Sequence, residues 1–324
     1  MILKENSNFI FDKPREINIK FIVKYLFAEI ERVLYSLVSR TFHPSVIENK
    51  KYNTVICAIF KNEASYFKEW IEFHRIIGIE HFYLYNNCST DNYMEILKEY
   101  IDKGIVDLIE WPMQQAQLEA YTDCVNKYKN DSKWIGFIDI DEFVVPIEDD
   151  NIYDFLKKYE NKFPAIVIYW KLFGSSGKIS RDLSSLVTEQ FTQCWKKYDE
   201  VGKCFYNTAY DFAPNEKKCH VFHHFLWAKY KGILLPPANC MGKICVKQYI
   251  NRCNTNEFPI QINHYFTKSY DEYTTKKSKG DVFYKNNPHE SDDYFYKHDK
   301  LSISVDYNIF KYIIKLKKMM DFDV

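Results

Sequence analysis

Between residues 52 and 170 short apolar runs alternate with stretches whose apolar residues recur every three or four positions. Thr54 to Phe60 (TVICAIF) is apolar throughout, the pattern of a strand covered on both faces. Phe67, Trp70, Ile71, His74 and Ile77 follow at helical spacing, and Gly78 closes that helix. His81 to Tyr85 predicts a second strand, Tyr93 to Tyr100 a helix ended by Gly104, and Ile105 to Trp111 a third strand stopped by Pro112. Leu118, Tyr121, Val125 and Tyr128 mark the next helix, and Trp134 to Ile140 (WIGFIDI) the fourth strand. A helix near Ile152 to Tyr159 and a strand at Ala165 to Trp170 complete the series. Such β-α-β-α order predicts an α/β fold on a mostly parallel sheet with helices on both faces. After residue 171 the pattern becomes irregular.

Both ends of the chain add helical patterns. Ile17 to Arg40 is apolar-rich but interrupted by Lys24, Glu29, Glu31 and Arg32, which excludes a membrane span. Tyr307 to Met320 sets Phe310, Ile313 and Ile314 among four lysines. Each reads as an amphipathic helix packed on the domain, or as a peripheral membrane contact.

Composition narrows the function classes. Lys+Arg and Asp+Glu balance at 44 each, which argues against a nucleic-acid-binding surface. Nine cysteines are scattered without a Cys-x-x-Cys, and no signal-peptide pattern opens the chain, so reduced thiols in a cytoplasm are expected. Cys240 with Cys245, and Cys219 with His220, His223 and His224, are either metal ligands or ordinary interior residues.

The chemistry concentrates where predicted strands end, the usual ligand edge of an open α/β sheet. Lys61-Asn62-Glu63, Asn86 to Asp91, and Asp141-Glu142 are polar clusters at such ends. In Phe137-Ile138-Asp139-Ile140-Asp141-Glu142-Phe143 a continuing strand would carry Asp139 and Asp141 on one side of the sheet. Two carboxylates so close call for a cation beside them, and they suit Mg²⁺ or Mn²⁺. The alternative is a pair of strand-end caps. No phosphate loop, dinucleotide fingerprint or Gly-x-Ser-x-Gly accompanies them.

In order along the chain, Lys61-Asn62-Glu63, Glu69-Trp70 with His74, Tyr83 to Asn87 with Ser89 and Asp91, Gln117 with Tyr121, Asp139 to Phe143, Phe173-Gly174-Ser175-Ser176-Gly177, and Asn263-His264-Tyr265 with Lys268, Lys276 and Lys279 resemble glycosyltransferase family 92 and related family-2-like transferases. The resemblance spans roughly residues 52 to 281. It implies a GT-A (Rossmann-like) fold and inverting, metal-dependent transfer of a hexose from a UDP-sugar, galactose before glucose. By that resemblance Asp139, Asp141 and His264 hold Mn²⁺ or Mg²⁺. Asn62, Glu63, Asn87, Asp91, Gln117, Asp139 and Lys268 bind the nucleotide sugar. Lys276 and Lys279 are further diphosphate contacts. The aromatic excess has a sugar reading, with Trp170 or Trp195 near the acceptor, and a core reading. Glu189 or Asp182 is the catalytic base.

The chain then divides into an N-terminal helical extension (1–50), a GT-A domain (51–285) and a helical tail (286–324). The domain comprises a nucleotide-binding half (51–150) and an acceptor half (151–285). The expected partners are a nucleotide sugar and an oligosaccharide or glycolipid acceptor in bacterial surface polysaccharide synthesis. The expected location is cytoplasmic, or peripheral at the inner face of the membrane. A sugar nucleotidyltransferase and an inactive carbohydrate-binding protein are the alternatives.

Overall fold

The computed structural model describes residues 9–10, 19–45, 48–114, 116–218, 221–248, 257–278 and 291–321. Helix α1 (Ile19–Thr41) precedes the sheet. The alternating region forms β1 (Tyr52–Phe60), α2 (Ala64–Ile76), β2 (His81–Asn86), α3 (Tyr93–Asp102), β3 (Val106–Glu110), α4 (Gln117–Tyr128), β4 (Ser132–Phe137), β5 (Glu142–Pro146), α5 (Ile152–Lys157) and β6 (Ala165–Leu172). The irregular region adds α6 (Val187–Gln190), β7 (Gly202–Asn207), β8 (Ala238–Asn239), β9 (Ile260–His264), α7 (Tyr270–Ser278), α8 (Asp292–Asp299) and α9 (Ile313–Met319).

The main sheet runs β3-β2-β1-β4-β7-β6-β9-β5, with β8 beside β6. The first four strands are parallel, the arrangement that crossover helices impose. β7 inserts antiparallel between β4 and β6. β9 runs parallel to β6 and antiparallel to β5, in a register that puts His264 opposite both Leu172 and Glu142. That register brings a residue from late in the chain to the end of the Asp139–Asp141 segment. The expected α/β class, mostly parallel sheet and flanking helices are all present.

The two halves expected within 51–285 share this one sheet, and β5 from the first lies beyond strands of the second. The C-terminal segment is built into the same body. Ser304–Val305 pairs with Gln193–Cys194, and the Tyr312 hydroxyl donates to the Pro146 carbonyl at 2.9 Å. Ile313 and Leu316 are buried, so α9 is docked through its apolar face. Cys240 and Cys245 are buried, while Cys219 and His220 lie outside the described residues.

One difference from the sequence reading bears on the site. β4 stops at Phe137, so Asp139 and Asp141 occupy a turn rather than a strand. The apolar Ile138 and Ile140 continue the strand pattern but are buried inside that turn.

Strands β6 and β7 approach closely at Gly202, where an added Cβ would lie 1.8 Å from the Ile168 carbonyl oxygen. Backbone cannot swing aside as a flexible side chain can. Gly202→Ala should therefore destabilise the fold by about 3 kcal/mol or more, beyond an ordinary overpacking substitution. Urea unfolding, or loss of soluble protein, is the readout.

Candidate active site

The turn after β4 is held from below by α2. The Trp70 indole N–H points at the carbonyls of Asp139 (3.0 Å) and Glu142 (2.9 Å). One turn on, His74 Nδ1 bonds the Trp70 carbonyl at 2.8 Å, and its Nε2 accepts from the Val144 amide at 3.3 Å. Glu69 accepts from the Val187 and Thr188 amides at the start of α6. The Glu69-Trp70-x-x-x-His74 spacing therefore places three tethers on one helix, two of them on the turn and strand that carry the acids. The turn also closes on itself, because the Asp139 amide donates to Glu142 Oε2 at 3.1 Å.

Because the segment turns, its two aspartates part. Asp139 accepts from Gln117 at 3.2 Å, Tyr121 at 3.0 Å and Lys203 at 2.7 Å. The Lys203 side chain is only 1% exposed and also lies 3.8 Å from Glu142. Burial pulls the Lys203 ammonium down, but Asp139 and Glu142 outweigh it and hold it charged. Burial raises the Glu142 carboxyl well above its ordinary range, Lys203 opposes this, and Asp139 and Asp141 reinforce it.

Asp141 faces the other way. His264 Nε2 lies 3.6 Å from its Oδ1, and Lys276 Nζ 2.6 Å from its Oδ2. Burial pushes this carboxyl up, yet Lys276, His264 and Lys268 more than offset it and hold it well below the usual range. Burial lowers the His264 imidazole against the pull of Asp141, which keeps the ring neutral and its lone pair available. The Trp170 ring packs 4.7 Å from that of His264. The cation expected beside the carboxylates is thus two separate lysines, one for each aspartate.

Asp141 opens onto a cleft of about 170 Å³ lined by Glu63, Tyr66, Lys268, Glu272 and Lys276 among others. Lys268 adopts φ 51°, a left-handed conformation that non-glycine residues rarely take, and its ammonium lies 4.0 Å from the centre of the Tyr66 ring. The Tyr66 hydroxyl donates to Glu272 on α7 at 2.7 Å. The cleft is smaller than the 300–1,000 Å³ usual for a ligand pocket. The Lys276–Asp141 ion pair closes one of its walls.

A model of glycosyltransferase family 92 matches residues 52–319. The chain belongs to glycosyltransferase family 92. This family 92 chain carries its acid-bearing turn at the carboxyl end of β4. A castor-bean family 92 protein, RCOM_0530710, is 30% identical over 56% of this chain and 33% of its own length. The beta-1,4-galactosyltransferase galt-1 of Caenorhabditis elegans is 34% identical over 30% of this chain and 26% of its own. The chain thus spans a third or less of these relatives. Among solved structures, Staphylococcus aureus TarS with UDP aligns at 12% identity over 48% of this chain and 47% of that one, with a TM-score of 0.33.

Several of the residues expected as nucleotide contacts shape the loops of this chain. Asn62, itself at φ 56°, accepts the Thr90 and Asp91 amides, and Asp91 accepts the Ala64 amide at the start of α2. Asn87 donates to the carbonyls of Trp111 and Met113. Gln117 touches Asp139, while Glu63 and Lys268 line the cleft. Of the three expected metal ligands, Asp141 and His264 meet, while Asp139 is turned to Lys203. Among the described residues no three His, Cys, Asp or Glu side chains converge. The expected bases are Glu189 and Asp182. Glu189 pairs with Lys317 at 2.8 Å, and exposed Asp182 accepts from Ser184 and Ser185; neither lines the cleft. Trp195 is buried and donates to the His298 carbonyl. Lys279 lies outside the described residues. Trp70 and Glu142 are legible only as members of motifs without a role of their own, and Lys203 escaped the sequence reading. Only the need for a cation near the aspartates pointed toward Lys203.

Lys203→Met removes the cation from buried Glu142 and part-exposed Asp139, so it should cost about 3 kcal/mol in urea unfolding. Adding Asp139→Asn should recover part of that loss in a double-mutant cycle.

His74 and His224 are each pushed down to about 3 by burial, aided at His224 by Lys203. Unfolded, they titrate near 6.5. Between those values the unfolded chain binds more protons, so stability present above pH 6.5 is lost as pH falls. Unfolding midpoints at pH 7.5 and pH 5 should differ by about 1–2 kcal/mol per histidine. His74→Gln should reduce the difference.

Proposed function

We propose that this family 92 chain is a metal-dependent, inverting hexosyltransferase that takes galactose, or next glucose, from a UDP-sugar to a glycan acceptor. The observation that carries the reading is the ionised Asp141 at the cleft, beside a neutral imidazole and two lysines. A carboxylate able to carry a divalent ion, with two lysine ammonium groups in the same cleft, suits a diphosphate. The names of the relatives support galactose: besides galt-1, two Arabidopsis proteins are galactan beta-1,4-galactosyltransferases. These relatives come from plants and a nematode, so a bacterial surface glycan is not part of the proposal.

Asp141 and His264 fit a divalent ion by donor type, one carboxylate oxygen and one neutral ring nitrogen facing each other. Lys276 holds the other oxygen, Oδ2, of the same carboxylate. When bound, Mn²⁺ or Mg²⁺ would supply positive charge to the leaving diphosphate. The Lys276 ammonium, in the cleft wall, is a further donor for diphosphate oxygens. Lys268 lies in the same cleft wall. Lys203 pairs with Asp139, which also accepts from Gln117 and Tyr121, so Asp139 is fixed on the side of the turn away from the cleft.

The test is UDP release from a panel of UDP-sugars with Mn²⁺. Release from UDP-galactose above the other sugars is expected. Asp141→Asn should lower it by about a hundredfold or more, as loss of one preorganised charge does. His264→Ala should weaken Mn²⁺-dependent UDP binding and leave metal-free binding nearly unchanged. Absence of both UDP release and UDP binding with the whole panel would overturn the proposal.

A further inference from the structure

Helix α1 has two working faces. Its inner face is fixed to the protein: Ala28 is fully buried, the Tyr35 ring meets Trp227 at 5.2 Å, and Glu31 pairs with Lys218 at 2.7 Å. The outer face is apolar. Nine of the twenty exposed large hydrophobic residues among the described residues lie on this one helix, between Ile19 at 80% exposure and Leu37 at 56%. At 100° per residue they fill a stripe about 140° wide, centred opposite Ala28. The helix is 23 residues long, so the stripe extends about 35 Å. Contiguous apolar surface of this extent on a folded protein marks a contact site.

Charge decides what covers it. The two acidic residues of the helix are already neutralised, Glu29 by Arg32 and Glu31 by Lys218. Lys20, Lys24 and Arg40 are exposed, and among the described residues they form no ion pair. Lys20 and Lys24 border the stripe near its start, and Arg40 lies in its last turn. Six of the apolar positions, Ile19, Val23, Leu26, Ile30, Val33 and Leu37, also follow the alternating three-and-four spacing that pairs two helices. A second copy would nevertheless set like charges together. In parallel, Lys20 and Lys24 meet their own counterparts; in antiparallel, they meet Arg40. Ile22, Phe27 and Leu34 also widen the stripe beyond a two-helix seam. Among the described residues no helix is long and apolar enough to cross a membrane, so a lipid contact here lies in the surface.

We propose that α1 is an interfacial helix that docks the protein on an anionic lipid surface, with its apolar stripe in the headgroup boundary and Lys20, Lys24 and Arg40 among the lipid phosphates. This proposal is independent of the donor sugar and of the metal.

The test is co-sedimentation of the full chain with vesicles of phosphatidylcholine alone and of phosphatidylcholine mixed with phosphatidylglycerol. Binding to the anionic vesicles, weakened by salt, is expected. Phe27→Glu with Ile30→Glu should reduce it by about tenfold or more. Lys20→Glu with Lys24→Glu should remove the preference for anionic lipid. These side chains are exposed, so the circular dichroism and thermal midpoint of both variants should match the parent. Failure of the parent to bind either vesicle overturns the proposal, as does unchanged binding by Phe27→Glu with Ile30→Glu. A concentration-dependent dimer in sedimentation velocity, abolished by that same pair and without vesicle binding, would instead assign the stripe to a second copy.

Discussion

The ammonium of Lys203 is the group on which the acid-rich turn depends. Asp139, Asp141 and Glu142 fall within four residues at the end of the sheet, and Glu142 is wholly buried. Three carboxylates there would repel one another and lose hydration together. Lys203 arrives from a neighbouring strand, pairs with Asp139 and lies near Glu142. That leaves Asp141 to face the cleft with a second lysine, Lys276, whose side chain is 37% exposed. The inner cation is walled in and fixed, while the outer one is within reach of solvent. A permanent ion pair beside an exchangeable one separates holding the turn from meeting a ligand.

Much of the fold follows from pattern, and the places where pattern fails have a common cause. The early strands are bounded by their apolar runs within a few residues, because both their faces are covered. β7 and β9 are equally buried but carry Lys203, Asn207, Gln261 and Asn263 into the interior. Asn263 bonds its near neighbours Gln261 and Tyr265, but the other three are satisfied by partners far along the chain: Lys203 by Asp139, Asn207 by the carbonyls of Glu160 and Phe163, and Gln261 by Tyr198. No local window contains those partners, so the strands read as irregular sequence. The opposite error occurs at Ile138 and Ile140. Their apolar side chains extend the strand pattern through a turn, and with it the expectation of two aspartates side by side.

The candidate site shows the same division. Asp141 was legible because acids at a strand end are conspicuous. His264 came only from resemblance to a family, since nothing local distinguishes a ligand imidazole from an interior one. Asn62 and Asp91 have the residue types of nucleotide contacts but hold the loops after β1 and β2 together. Trp70 and His74 look like ordinary members of a helix's apolar face, yet their ring nitrogens tie down the turn and β5. Aromatic nitrogen, unlike a methyl group, has to find a partner when buried.

The position of β9 has a consequence for how the molecule comes into being. β5 and β6 are complete by residue 172, but the strand between them begins at Ile260. Until that stretch leaves the ribosome, the facing edges of β5 and β6 carry unmatched amides and carbonyls, and Asp141 has no imidazole beside it. A growing chain therefore holds an open slot in its sheet for the time needed to synthesise about ninety residues, several seconds or more at ordinary translation speed. Such unpaired edges invite association with other strands. For this chain the most aggregation-prone species should be nascent or truncated ones that end before Ile260.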